Sequence, residues 1–212
     1  MKNKKNSLDL GIILSLSLGI YLGRCVAILI PFIIFSFLEN LVYFMGYDKT
    51  YTSYVIAPIN ILVLSLLHCY TTLILLKKKP LDYISENKVF IIVLKVSVVF
   101  GITILILHRD TYLSNLSLLN CAIHILTMIF IPLILSCLVI DNTWYSFIWT
   151  PFKTLFCSLE VFIKWLPLSI IIYLIVLISN CSRVYIGLDL ITPILYPMSA
   201  IITTVFIMRA RK

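Results

Sequence analysis

The chain has 212 residues, of which 61% are hydrophobic and 12% are charged, and its formal net charge is +8. Soluble domains contain roughly 45–50% apolar and about 25% charged residues, and a water-soluble chain of this size could not bury so much apolar surface. The composition therefore excludes an ordinary soluble domain. The basic residues lie at the ends of apolar runs, which argues against nucleic-acid binding and favours contact with anionic lipid headgroups.

Several apolar runs reach the length of roughly 20 residues that crosses a bilayer. We therefore predict an all-α, polytopic integral membrane protein that forms a single membrane domain over residues 1–212. Six transmembrane helices are expected as three hairpins. In chain order they cover residues 25–45, 54–76, 89–107, 116–140, 161–180 and 188–208. Pro31 should kink the first crossing, where a neighbouring helix can bond the freed carbonyl.

Residues 7–23, which precede the first crossing, are predicted to form an interfacial or packing helix. Small residues recur there every four positions, and Gly19 and Gly23 complete a GxxxG pattern. This spacing lets another helix approach closely, although the same residues would equally form the polar face of a surface helix. A seventh crossing at residues 8–22 is an alternative, but it would leave three lysines on the outside.

Residues 150–164 are predicted to form an amphipathic helix on the inner leaflet, which bends into the fifth crossing. Thr150 is the expected cap and Pro151 the first helical residue. One helical face carries Lys153, Cys157, Glu160 and Lys164. Large apolar side chains occupy the opposite face. The tryptophans of the chain fit a belt at the headgroup level; they are Trp144, Trp149 and Trp165.

The distribution of basic residues predicts the orientation. With the amino terminus inside, thirteen Lys and Arg residues fall in inner segments and three in outer loops. This bias places both termini in the cytoplasm and favours the plasma (inner) membrane. The expected inner-face anchors, whose charged heads stay hydrated, are Lys77, Lys78, Lys79, Arg209, Arg211 and Lys212.

The anchors belong to two similar segments, "TTLILLKKK" at 71–79 and "TTVFIMRARK" at 203–212. The hydroxyls of such threonines can bond back to a helix carbonyl. The resemblance extends to "IAPI" at 56–59 and "ITPI" at 191–194. Either the first and last hairpins are a parallel duplication, or apolar helices resemble one another by composition alone.

Polar side chains inside predicted crossings are the candidate site, because they are costly in a bilayer. By depth they form an outer layer and an inner layer. The outer layer contains Glu39, Asn60, Asn120 and His124, and the inner layer contains His68 and Lys95. A Glu39–His124 pair would hold a proton or a cation. Alternatively, Glu39 is hydrated near the outer interface and Lys95 extends its ammonium to the inner one.

Three function classes remain open. The favoured class is a structural, assembly or lipid-organising protein whose partners are anionic lipid and either another membrane protein or a second copy. The alternative is a small transporter that uses Glu39 and His124. An intramembrane enzyme is third, because no catalytic motif is found. The six cysteines lack the spacing of a metal site, and no cofactor is expected.

Overall fold

The structure is a computed structural model that describes residues 8–45, 57–76, 91–99, 117–141, 146–186 and 191–211. Every regular element within these ranges is an α-helix, which confirms the all-α class. The helices are α1 (Leu10–Gly23), α2 (Cys25–Phe44), α3 (Ala57–Leu75), α4 (91–99), α5 (Ser117–Ile140), α6 (Ser146–Leu155), α7 (Leu159–Ile186) and α8 (Thr192–Ala210).

The last helix, α8, is the centre of the bundle. It packs against α1, α2, α3, α5 and α7. Its side chains from Ser199 to Ile207 are all buried. Burial covers 61% of the apolar window of α8 but only 22% of that of α2, which therefore lies at the periphery. Pro193 fits the first turn of α8, because its fixed φ suits a helix start and its missing N–H is not needed there.

Three described helices are long and apolar enough to cross a membrane, at Cys25–Val42, Pro58–Leu75 and Thr192–Ala210. A fourth results if Trp149–Leu155 and Leu159–Ile175, which meet at an angle of 106°, count as one broken crossing. The described residues thus support a membrane protein with three to four candidate crossings, fewer than the six predicted for the whole chain.

Two predicted crossings fall only partly within the described residues. Of residues 89–107, only the helical stretch 91–99 is described, which is too short to span. Residues 116–140 correspond to α5, whose described apolar part is Phe130–Ile140. Both crossings remain predictions.

The first crossing shows the expected response to its internal proline. Pro31 lies inside α2 and has no N–H to donate to the carbonyl of Ala27, one turn earlier. The hydroxyl of Tyr70 on α3 donates to that carbonyl over 3.5 Å. A neighbouring helix therefore places a donor at the long limit of hydrogen bonding from the freed carbonyl, as predicted. The expected kink at Pro31 stays a prediction.

The connection between α6 and α7 differs from the predicted continuous helix over residues 150–164. The helix breaks at residues 156–158, because Ser158 caps a new one: its Oγ accepts from the Val161 N–H over 3.2 Å. The predicted polar face is therefore divided between two helices. Thr150 and Pro151 do not begin a helix either, since α6 already starts at Ser146.

The tryptophan belt is only partly consistent with the structure. Trp149 is 65% exposed, as a headgroup-level residue would be. Trp165 is 1% exposed, and its ring centroid lies 4.9 Å from that of Phe206 on α8. The belt prediction is therefore wrong for Trp165, because close packing of α7 on α8 encloses the indole. Trp144 lies outside the described residues.

Candidate functional site

Two members of the predicted outer layer are in direct contact. Glu39 on α2 and Asn60 on α3 are both buried, with exposures of 3% and 7%. The amide Nδ2 of Asn60 donates to Oε1 of Glu39. This bond joins the peripheral α2 to α3 and compensates part of the cost of burying the carboxyl group. His124 belongs to α5, but its side chain lies outside the described residues, as does that of Asn120, so the Glu39–His124 pair stays a prediction.

The predicted inner-layer residue His68 belongs to a cluster of hydroxyl groups that joins three helices. Its Nε2 lies 2.8 Å from Oγ of Ser136 on α5. That oxygen lies 3.3 Å from Oγ1 of Thr204 on α8, which lies 3.1 Å from Oγ1 of Thr72 on α3. All four side chains are fully buried. We call these residues the hydroxyl cluster; sequence analysis identified only its histidine as a site candidate.

The hydroxyl cluster connects α3, α5 and α8. The Thr72 and Thr204 hydroxyls also lie 3.1 Å and 2.7 Å from the carbonyls of His68 and Ala200. Because a hydroxyl has one proton, each threonine donates either to its own-helix carbonyl or to a neighbouring hydroxyl. The His68 Nδ1 is buried and has no hydrogen-bond partner among the described residues. A serine beside an imidazole is a potential nucleophile, but the Ser136 side chain is fully buried beside His68 on α3 and Thr204 on α8.

Lys95, the other inner-layer candidate, is also buried. Its residue exposure is 1%, and its helix α4 packs Ile92, Val96 and Val99 against an apolar cluster formed with α3 and α5. Lys95 lies within electrostatic range of Asp141, which directly follows α5. This position is consistent with an ammonium that extends towards the end of the bundle where α5 terminates.

Asp141 connects three helices through its hydrogen bonds, and sequence analysis did not predict this role. Its carboxylate accepts two hydrogen bonds from the Arg211 guanidinium, over 3.0 and 2.9 Å, and one from the Thr150 hydroxyl over 2.7 Å. Hydrogen bonding from Arg211 holds the pKa of Asp141 below its usual value of 3.8, against the opposing effect of partial burial. The ends of α5 and α8 and the middle of α6 are thereby connected. Of the predicted anchors, Arg211 is therefore part of an ion pair.

The predicted packing face of α1 lines a groove that is open. Asp9 caps this helix by accepting from the Gly11 N–H over 2.9 Å. A Cβ added at Gly19 or Gly23 would meet no atom within 4 Å, so no helix of the described chain uses their small size. The groove has a volume of about 390 Å³ and is lined by Ser15, Leu16, Gly19, Ile20, Gly23 and Arg24.

A second groove lies beside the first and shares two of its walls. Its volume is about 150 Å³, and it is lined by Leu16, Ile20, Leu75, Val205, Met208 and Arg209. We call the two cavities the paired grooves. Leu16 and Ile20 line both of them, so these side chains form the ridge between them.

The arginines of the paired grooves both lie beside the last turn of α3. The Arg24 guanidinium donates to the carbonyl of Ile74, one of the final carbonyls of α3 that have no partner within their own helix. Arg209 shares the second groove with Leu75, the last residue of that helix. The other predicted anchors, Lys77, Lys78, Lys79 and Lys212, lie outside the described residues.

Within the described ranges, no group of three or more His, Cys, Asp or Glu side chains is arranged to hold a metal ion. Comparisons with protein-family models, with curated proteins and with solved structures found no match to this chain. The site is therefore interpreted from its own geometry.

Proposed function

We propose that this protein is a structural, assembly or lipid-organising component of a membrane, with six crossings and both termini in the cytoplasm. The observation that supports this class is the burial of α8 at the centre of the bundle. Transport requires a hydrated or alternately hydrated path through the bundle. Here the side chains from Ser199 to Ile207 fill that position with close contacts to five other helices.

The polar groups of the interior also favour a structural role. The Thr204 hydroxyl lies within hydrogen-bonding distance of both Thr72 and Ser136, on two other helices. Thr72 and Thr204 can also donate to carbonyls within their own helices. Interhelical hydrogen bonds of this kind hold transmembrane helices together. Within the described residues two buried side-chain nitrogens, His68 Nδ1 and Trp165 Nε1, have no hydrogen-bond partner, and neither residue lines one of the paired grooves.

The alternative function, a small proton-coupled transporter, is favoured by one specific observation. Glu39 is buried with Asn60 inside an apolar helix pair. Buried carboxyl groups in transmembrane helices commonly bind and release protons in pumps and transporters. Under this alternative Glu39 would alternate between a protonated and an ionised form during transport.

Purified protein in liposomes distinguishes the two functions. Proton and potassium fluxes would be followed with entrapped dyes for the wild type, for Glu39→Gln and for Glu160→Gln, a control in which an exposed carboxyl group is neutralised. The proposed function predicts fluxes equal to those of protein-free liposomes in all three preparations. A proton flux that Glu39→Gln abolishes and Glu160→Gln leaves intact would overturn it.

A further inference from the structure

We propose that Lys153 and Arg211 together bind the phosphate of one anionic glycerophospholipid of the inner leaflet, at the edge of the bundle where α5, α6 and α8 meet. The inference deepens the proposed lipid-organising role and rests on it. It names the ligand class and the two residues that would recognise the headgroup.

Contacts with Asp141 bring the two cations to one place. The Asp141 carboxylate, directly after α5, accepts two hydrogen bonds from Arg211 at the end of α8 and one from the Thr150 hydroxyl on α6. Lys153 follows Thr150 by three residues, a spacing that makes two side chains neighbours on a helix surface. Lys153 also lies within electrostatic range of the Asp141 carboxylate. The ammonium and the guanidinium are therefore both close to the same carboxylate.

The donors that remain at this place favour an anion. A guanidinium has five N–H donors, and Asp141 occupies two of those of Arg211, which leaves three for another acceptor. Within the described part of the chain, the Lys153 ammonium forms no hydrogen bond or ion pair at contact distance. Phosphate oxygens accept hydrogen bonds from both kinds of cation. A phosphate would therefore use donors that the protein leaves available.

The proposed site lies on the surface of the bundle, where a headgroup can reach it. Lys153 is exposed, and the side chains of Arg211 and Asp141 are 31% and 33% exposed. Lys95 also lies within electrostatic range of Asp141, but it is buried and is therefore not assigned to the site. A lipid phosphate can thus approach Lys153 and Arg211 from outside the bundle.

The side chains beside Lys153 indicate that the phosphate belongs to a lipid. Trp149 and Phe152, which precede it on α6, are 65% and 52% exposed. Phe156, three residues after it, is 62% exposed and stacks on Phe152 with ring centroids 6.1 Å apart. Exposed aromatic rings at a membrane surface lie at the level of the headgroups, and a lysine among them extends its ammonium into the phosphate layer. The acyl chains of a lipid would contact these rings, whereas a free phosphate would not.

Trp149 provides the reporter for the experiment, because it lies about one helical turn from Lys153. The full chain, carrying Trp144→Phe and Trp165→Phe, would be reconstituted in bilayers of phosphatidylcholine and phosphatidylglycerol. Only one of the two lipids would carry acyl chains brominated near the headgroup, so that quenching of Trp149 gives the occupancy of that lipid beside Lys153. Phosphatidylglycerol should bind there about tenfold more tightly than phosphatidylcholine, which corresponds to about 1.4 kcal/mol.

Matched substitutions distinguish a binding site from general surface charge. Lys153→Gln and Arg211→Gln should each reduce the preference for phosphatidylglycerol to about twofold or less, whereas Lys153→Arg, which keeps the charge, should retain it. Lys164→Gln removes the same charge from α7, where Lys164 is paired with Glu160, and should leave the preference unchanged. Thermal melting would show that each variant is folded.

Equal quenching of Trp149 by the two brominated lipids would overturn the inference. Equal losses of preference in Lys153→Gln and Lys164→Gln would also overturn it, because surface charge alone would then explain the binding. Inorganic phosphate should weaken the quenching by phosphatidylglycerol only as much as sodium chloride of equal ionic strength does; a larger effect would identify free phosphate as the ligand and contradict the lipid. Each of these results leaves the flux comparison of Glu39→Gln unaffected, so failure of the lipid site and failure of the proposed function are distinguishable.

Discussion

The hydroxyl oxygens of Thr72 and Thr204 lie 3.1 Å apart in the interior of the bundle, where α3 meets α8. Each residue is the second threonine of a Thr–Thr pair that precedes an apolar run and a basic cluster. All four threonines bond back to the carbonyl four residues earlier, as predicted. The two similar segments therefore contact each other directly, whether or not they arose by duplication.

The hydroxyl cluster should contribute measurably to stability. Thr72→Val and Thr204→Val preserve side-chain shape but remove a hydroxyl, and each should destabilise the protein by about 1 kcal/mol. Their coupling in the double variant should be about 0.6 kcal/mol, as for hydrogen bonds between other membrane helices. Reversible unfolding in detergent would measure both values. Ser97→Ala, which removes an exposed hydroxyl bonded within its own helix, is the control; additive effects of the two threonine variants would contradict the contact.

The Glu39–Asn60 contact predicts that the stability of the protein depends more on the shape and hydrogen bond of the Glu39 side chain than on its charge. Glu39→Gln retains an oxygen that accepts from Asn60 and should change stability by less than about 1 kcal/mol. Glu39→Leu leaves the buried Asn60 amide without this acceptor and should cost about 1–3 kcal/mol. Thermal melting in detergent compares the two variants. Equal losses would show that the carboxylate charge, and not its hydrogen bond, is needed.

The Asp141–Arg211 ion pair predicts a pH dependence. Because folding lowers the pKa of Asp141 below 3.8, its stabilising effect is present above that value and is lost as the pH falls through the folded-state pKa. The melting temperature of the wild type should therefore fall more steeply below about pH 4 than that of Asp141→Asn. Since both side chains are about a third exposed, the effect should be less than about 1 kcal/mol.

A matched control for this pH dependence is the exposed Lys164–Glu160 pair on α7, whose atoms lie 2.7 Å apart. Glu160→Gln should retain the acid sensitivity of the wild type, because Asp141 is intact. Identical acid profiles for the wild type and Asp141→Asn would be incompatible with the ion pair. Measurements at several detergent-compatible pH values between 3 and 7 would decide between these outcomes.

The two described tryptophans should report different environments. With the other tryptophans replaced by Phe, the fluorescence of Trp165 should resist quenching by both acrylamide and brominated lipid, because α7 and α8 enclose it. Trp149, which is exposed, should be quenched by at least one of the two. Strong quenching of Trp165 by brominated lipid would place it on the bundle surface, contrary to the structure.

Sequence analysis predicted the helical class and the membrane-compatible segments because apolar length and the position of charges are local properties. It also identified Pro31 as a site that a neighbouring helix must compensate. The break at residues 156–158 was missed although Ser158 and the acidic Glu160 after it are typical of a helix start. The amphipathic pattern of residues 150–164 concealed this local signal.

The contacts of the candidate site depend on which helices are neighbours, and a single sequence does not contain that information. Glu39 and Asn60 were assigned to one layer by depth, and they are adjacent because α2 packs on α3. Ser136 was overlooked because a lone serine in an apolar helix is unremarkable until His68 and Thr204 are placed beside it. Asp141 likewise gains its role from Arg211, which is 70 positions away.

The central claim is that the buried side chains of α8 pack against other helices without intervening water, so that α8 does not line a transport path. Cysteine accessibility in native membranes tests it most directly, with single cysteines at Ala200, Thr204 and Glu160 in a background in which Ser and Ala replace the native cysteines. A water-soluble methanethiosulfonate reacts with hydrated thiolates, so it should label position 160, whose native carboxylate is exposed, and leave the buried positions 200 and 204 unmodified. Rapid labelling at 200 and 204 would reveal water along α8 and contradict the account.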